Sequence, residues 1–152
     1  MSNHIQVLKS ILSKALVLSS DKEKPVGALV LFKDGHSAFG CNQTEYGEAL
    51  LDDKSNIIHA EISALSTPIQ DRDEGVMYVT KTPCICCARA IVDSGKVVVL
   101  VSPKPYEESR WYKEQLEALA FLEENLELIL VDFDDREELS KNTLKMFSKA
   151  LL

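Results

Sequence analysis

The sequence predicts an α/β chain: a three-layer α/β/α sandwich around a five-stranded mixed sheet whose last two strands run parallel. Three observations predict it. Helix-period and strand-like runs alternate along the chain, an Asp-Gly pair joins the first two apolar runs, and a helical segment separates the last two. Residues 5–18 place Ile5, Leu8, Leu12 and Ala15 at helical spacing, and Asp21 to Pro25 end that helix. Residues 26–32 and 36–41 flank Lys33-Asp34-Gly35, the signature of an antiparallel hairpin. Residues 43–57 show no sustained period and read as a long loop with one small apolar patch, Ala49 to Leu51. A helix is expected from Ile58 to about Leu65, stopped by Ser66-Thr67-Pro68. After Gly75 comes a short strand, then a helix over 84–94 with Pro83 before it and Ser94-Gly95 at its exit. The run VVVLV at 97–101 is apolar throughout, as in a central strand covered on both faces. Tyr112, Leu116, Leu119 and Ala120 define a crossover helix over 107–124, which lets the strand at 126–131 lie parallel to the one before it. A helix over 135–150 closes the series, with Leu139, Thr143, Met146, Phe147 and Ala150 on one side.

A chain of 152 residues, 45% hydrophobic and 27% charged, matches one ordinary globular domain, so a single domain over 1–152 is expected. No run approaches the ~18–20 apolar residues of a membrane span, and MSNHIQVLKS lacks the order of a signal peptide. Membrane association is not expected, and the cytoplasm is the expected location. The net charge of −7 is concentrated: residues 105–140 carry 12 acids and 3 bases. That stretch would repel a long polyanion, which argues against a stable nucleic-acid partner, whereas a small anion needs only one or two local cations. Four cysteines without a secretory leader point away from a disulfide framework. Three of them fall within four residues, which raises metal binding.

Two segments carry the chemistry: His59-Ala60-Glu61 at the start of one expected helix, and Pro83-Cys84-Ile85-Cys86-Cys87 at the start of the next. Cys84 and Cys87 are three apart, so on one helical turn their sulfurs share a side and can bind one zinc. A helix N-terminus favours the thiolate form that a metal needs. His59 supplies the third ligand, and Cys86 points elsewhere. Three protein ligands leave the fourth tetrahedral position to water, the arrangement of a catalytic zinc, which lowers the pKa of that water toward about 7. Glu61 is near the metal without being needed as a ligand, so it is the candidate to collect and deliver the proton.

His-x-Glu followed by Pro-Cys-x-x-Cys resembles the signature of the zinc-dependent nucleobase deaminases. Pro25-Val26-Gly27-Ala28, Gly40-Cys41-Asn42, His59 to Leu65, Met77 to Thr80 and Thr82 to Gly95 look like blocks of that family in family order, covering roughly residues 24–132. The resemblance implies a cytidine deaminase-like fold and hydrolysis of a cyclic amidine. Water activated by zinc attacks the amine-bearing ring carbon, while Glu61 protonates the adjacent ring nitrogen and then the leaving ammonia. Asn42 matches the family Asn that contacts the sugar hydroxyl. By the same resemblance the backbones of Ala60 and Thr82 hold the base edge, Val26 lines the ring pocket, and the protein is a homo-oligomer.

The crossover helix argues against the free-cytidine branch of the family, whose last two strands resemble an antiparallel pair. The Gly-x-Asn block, the extended loop before His59 and the loop carrying Tyr106 ahead of acidic residues resemble the deoxycytidylate (dCMP) deaminases. Pro-Val-Gly-Ala and Pro-Cys-x-x-Cys-Ala occur in tRNA adenosine deaminases too. The acidic stretch tips the reading toward a small-molecule nucleotide substrate, dCMP, with the tRNA and free-base or nucleoside deaminases as alternatives. Lys24, Lys81, Lys104 and Arg110 are unranked candidates for its phosphate, and Tyr106 is a candidate substrate contact. Gln43 stands where the dCMP branch commonly has Gly, which bears on nucleotide regulation more than on chemistry. An inactive zinc-stabilised scaffold is a further reading, against which the retained Glu61 weighs. Of the remaining residues, Cys86 reads as a buried thiol and His4 and His36 as surface residues. Trp111 and Tyr112 read as core or interface anchors, and Asp132 to Glu138 as a solvated helix start.

Overall fold

The computed structural model describes residues 2–19, 25–44, 57–66 and 74–140. Helix α1, Ser2–Leu18, buries Leu8, Ile11, Leu12 and Ala15, the i, i+3, i+4, i+7 stripe that its sequence carries. Strands β1, Gly27–Leu31, and β2, Ser37–Cys41, pair antiparallel with Gly27 opposite Cys41 and Leu31 opposite Ser37. Their turn is closed by Gly35 N–H donating to the Phe32 carbonyl at 3.0 Å and Phe32 N–H to that of His36 at 2.9 Å. Two-residue strands β3, Gln43–Thr44, and β4, Ile57–Ile58, pair antiparallel. The stretch expected to be loop is therefore tied at both ends, and the Ala49 to Leu51 patch lies outside the described residues. Because 57–58 is extended, helix α2 spans Ala60–Leu65 and starts two residues later than its period suggests.

The rest of the chain completes the alternation. Strand β5, Gly75–Val79, leads to α3, Ile85–Ser94, which ends on Gly95 at φ 66, a left-handed residue that glycine adopts without penalty. Strand β6, Val97–Pro103, α4, Tyr112–Asn125, and β7, Glu127–Val131, follow. Helix α4 starts five residues later than expected, since hydrogen bonds from Ser109 N–H to the Tyr106 carbonyl and from Tyr112 N–H to that of Ser109 fold the preceding segment into turns. Helical backbone resumes over 135–140, and the remainder of the expected last helix lies outside the described residues.

The five-stranded sheet has the order β2-β1-β5-β6-β7, with β1 antiparallel to its neighbours and β5, β6 and β7 parallel. The mixed sheet and the parallel last pair are as the sequence predicts. The middle place belongs to β5, however, and not to the run at 97–101, whose Val98 is 44% exposed. Side chains alternate across the sheet. Ala28, Val30, Met77, Val79 and Leu100 meet α2, α3 and α4 on one face, through Ala60, Ala64, Ala88, Ile91, Leu119 and Leu122. Tyr78 and Val101 meet Leu8, Ile11 and Leu12 of α1 on the other, joined by Phe133 and Leu139 from the last described segment. These are the three layers. Burying each large core side chain contributes about 1.5–3 kcal/mol. No helix among the described residues is long and apolar enough to cross a membrane.

Gly40 sets how closely α2 approaches the sheet. A Cβ on it would lie 2.3 Å from Ala64 N and 2.4 Å from Ala60 O, so the backbone of α2 rests directly on β2. Nothing larger than a hydrogen fits there.

Candidate active site

The two short motifs meet where α2 and α3 begin. His59 is the N-cap of α2 at φ −70, ψ 151, and Cys84 is the N-cap of α3 at φ −76, ψ 169. Cys84 Sγ accepts a hydrogen bond from Cys87 N–H at 3.4 Å, so the sequence spacing of three becomes a capping turn that brings both sulfurs to one side. His59 Nδ1 lies 3.1 Å from Cys87 Sγ and 3.8 Å from Cys84 Sγ, and the three donor atoms all fall within 4.8 Å of one another. Tetrahedral zinc with bonds of about 2.0–2.1 Å to nitrogen and 2.3 Å to sulfur sets the N···S separation at about 3.6 Å. The observed pair brackets that value. The donor set, one imidazole nitrogen and two thiol sulfurs, is one that zinc favours.

Electrostatics points the same way. The Cys84 thiol is lowered to about 4, chiefly by a hydrogen bond from the Cys87 thiol, with His59 adding to it. Cys87 is pushed up by that same bond and by burial. His59 is raised by its bond to Cys84. The cluster thus holds a thiolate and shares protons among the other donors, and a divalent cation would take the place of those protons.

Glu61 sits in the first turn of α2 and is only 4% exposed. Burial pushes its carboxyl up, against smaller opposing effects that include the charge of His59 and a hydrogen bond with Cys87. It therefore touches the cluster without joining the three donors.

The residues singled out for substrate fall around this centre in different ways. Asn42 is buried, and its Oδ1 accepts from Ala60 N–H at 2.9 Å, which fixes the first turn of α2 to the end of β2. The backbone N–H of Ala60 is thereby engaged within the chain. The carbonyl of Val26 accepts from Asn42 N–H at 3.0 Å, while its half-buried side chain packs against the core. Thr82 is buried and its hydroxyl donates to the Pro103 carbonyl at 3.0 Å, joining the exits of β5 and β6. Gln43 turns its Nε2 toward the Leu18 carbonyl and Cys41 Sγ, at 3.2 and 2.9 Å.

Next to Thr82 opens a pocket of about 50 Å³ whose walls include Lys81, Lys104, Tyr106, Trp111 and Gln115. Tyr106 thus faces a cavity, yet its hydroxyl serves the last described segment. It donates to the carboxylates of Asp134, at 3.1 Å, and Asp135, and accepts from Asp135 N–H at 3.1 Å. The Arg136 guanidinium covers the ring at 3.7 Å and pairs with Glu108 at 3.0 Å. Asp135 is consequently buried in a stretch expected to be solvated. Tyr106→Phe should cost about 1–3 kcal/mol, because it leaves a buried carboxylate short of a donor. Urea unfolding monitored by circular dichroism checks this, and an unchanged midpoint would show that the bond carries no net stability.

Three other expectations are corrected. Cys86 is exposed, since the helical position before Cys87 turns away from both the cluster and the core. His4 is half-buried and its Nδ1 lies 2.9 Å from the Tyr78 hydroxyl. Trp111 is 41% exposed, beneath the Arg110 guanidinium at 4.7 Å, which removes the core half of the core-or-interface expectation. His36 is on the surface beside Asp34, as expected. Gly40 and Arg136 were not among the residues the sequence singles out for the site. The small-residue step in Gly40-Cys41-Asn42 is the one signal that could have indicated Gly40.

One histidine and two cysteines at paired helix N-termini, with a buried carboxyl against them, make up the donor set of a zinc centre. Comparison with known proteins gives the family. The model of the zinc-binding region of cytidine and deoxycytidylate deaminases matches residues 1–102, and the chain belongs to that family. ComE operon protein 2 of Bacillus subtilis (strain 168) is 29% identical over 147 residues, covering 91% of this chain and 75% of that protein. Among solved structures, the dCMP deaminase of cyanophage S-TIM5 in complex with dCMP and dUMP is similar at a TM-score of 0.64 and 23% identity, over 83% of this chain and 94% of the other. A structure from a study of A-to-I editing by tRNA:A34 deaminases is similar at a TM-score of 0.54 and 18% identity, over 91% and 98%. These two likenesses establish the shared fold.

Proposed function

We propose that residues 1–152 form one zinc-dependent deaminase domain that converts dCMP and water to dUMP and ammonia. The observation that carries the reading is the buried Glu61 beside His59, Cys84 and Cys87. His59 Nδ1 and the sulfurs of Cys84 and Cys87 would hold the metal. Zinc, when bound, supplies the Lewis acidity that makes water a competent nucleophile near neutral pH. Glu61 holds the transferred proton: its raised carboxyl delivers it first to the ring nitrogen beside the reacting carbon and then to the departing amine. Asn42 and Ala60 keep α2, and with it Glu61, in place against β2. Thr82 and Val26 border the region where the base would lie. In this reading the enzyme works in the cytoplasm, where its four free cysteines stay reduced, and as a homo-oligomer.

The mononucleotide is favoured over tRNA by charge, because the loop and helix that follow β6 lie within the stretch of 12 acids and 3 bases. The test is ultraviolet-monitored turnover by zinc-loaded protein of dCMP beside CMP, deoxycytidine, cytosine, adenosine and a tRNA anticodon stem-loop. Turnover of dCMP above the others is expected. Conversion of the stem-loop without dCMP would move the protein to the tRNA branch, and inactivity on all six would favour the scaffold reading.

A further inference from the structure

The loop after β6 is stitched to the segment after β7. Lys104 N–H donates to the Val131 carbonyl at 3.1 Å, its ammonium pairs with Asp132 at 2.9 Å, and Glu108 pairs with Arg136 at 3.0 Å. Between these links the Tyr106 hydroxyl is engaged in both directions. Its one proton goes to the carboxylates of Asp134 and Asp135, and its oxygen accepts from Asp135 N–H at 3.1 Å. Burial and the Asp135 carboxylate push the phenol up, so it keeps that proton. The Arg136 guanidinium covers a face of the ring at 3.7 Å. What Tyr106 leaves to the pocket beside Thr82 is therefore aromatic surface whose hydroxyl is already committed. Residues 103–109 form most of that pocket's wall, and Thr82 stands two residues from Cys84. The segment that holds Tyr106 is itself anchored on the far layer. Phe133 and Leu139 pack in the cluster that contains Leu8 and Leu12 of α1, and Lys9 of α1 lies 3.8 Å from Glu138.

We propose that Asp135 and Arg136 are positioning residues of the active site, acting through Tyr106. Asp135 fixes the hydroxyl, Arg136 fixes the plane of the ring, and together they set where this wall stands against the substrate. Neither residue lines the pocket, so their effect on the substrate passes through the ring. The assignment rests on the deaminase reading above and holds for whichever of its substrates is converted.

A double-mutant cycle on the zinc-loaded full chain tests it, with steady-state kinetics on whichever of the six substrates the wild type converts. Asp135→Ala should raise KM about three- to tenfold, the size that loss of one hydrogen bond carries, with a smaller fall in kcat. Asp135→Asn keeps an acceptor for the phenol and should restore most of the difference. Tyr106→Phe should raise KM by a similar factor, and the double variant by no more than the larger single one, because Asp135 then has no hydroxyl to hold. Arg136→Ala should also raise KM, and its effect should persist in Tyr106→Phe, which keeps the ring. Unchanged KM in both Asp135→Ala and Arg136→Ala overturns the proposal and leaves the contacts a purely structural role. Effects of Asp135→Ala and Tyr106→Phe that multiply in the double variant overturn it too, since Asp135 would then act by another route. A wild type inert on all six overturns the deaminase reading and this inference with it. Circular dichroism confirms folding of each variant; Arg136 and its partner Glu108 are exposed, so Arg136→Ala decides should Asp135→Ala fail to fold.

Discussion

Replacing Glu61 by Gln gives a protein that folds and holds one zinc but deaminates dCMP about 10²–10⁴-fold more slowly. That range is what a positioned proton carrier contributes. The substitution keeps shape and hydrogen-bonding capacity next to Cys87 while removing the transferable proton. It also removes the desolvation cost of a carboxylate that is only 4% exposed, so the melting temperature should not fall. Metal content by mass spectrometry and initial rates by ultraviolet absorbance check the two halves of the expectation. A variant that retains zinc and turns over at the wild-type rate would assign the proton to another group.

Gly40→Ala should do comparable damage by a mechanical route. The added methyl carbon would meet Ala64 N at 2.3 Å and Ala60 O at 2.4 Å, and both are backbone atoms that cannot rotate aside. Overpacking of this kind typically costs about 1–3 kcal/mol. Here the strain is relieved only by lifting α2 off β2, which would stretch the bond from Ala60 N–H to Asn42 and shift both His59 and Glu61. Lower stability, weaker zinc retention and lost activity should therefore appear together. Thermal melts and a zinc-chelator competition measure the first two. Full activity with a normal melt would mean that β2 can yield locally.

The elements were legible where periodicity is strong. The α1 stripe, the Asp-Gly hairpin, the Gly95 exit of α3 and the crossover between the last two strands follow from local pattern. The three candidate metal ligands were legible because their spacing is itself local: Cys84 and Cys87 share a turn, and His59 opens a helix. What escaped the sequence depends on partners far along the chain. Two-residue strands such as β3 and β4 have no period, and their pairing joins residues 13 and 15 apart. The destination of Tyr106 was hidden because Asp134 and Asp135 lie 28 and 29 residues away. His4 meets Tyr78 across 74 residues, and Gly40 needs its neighbour α2 to explain its size. Strand order within the sheet is likewise a property of the whole set, so the apolar run at 97–101 suggested the centre that β5 occupies.

Helix α2 is six residues long, less than two turns. A segment of that length has almost no helicity of its own in water, because the nucleation cost exceeds what so few bonds return. Its order is lent by β2 through Gly40, by the cap on Asn42 and by Ala60 and Ala64 in the core. The carboxyl most central to the proposed chemistry thus rides on an element that has no independent existence. Amide exchange in α2 should track opening of the α2–β2 contact rather than fraying of the helix itself. Selection on the fold and selection on the site then act on the same few contacts, and a substitution near β2 that relaxes one will be felt by the other.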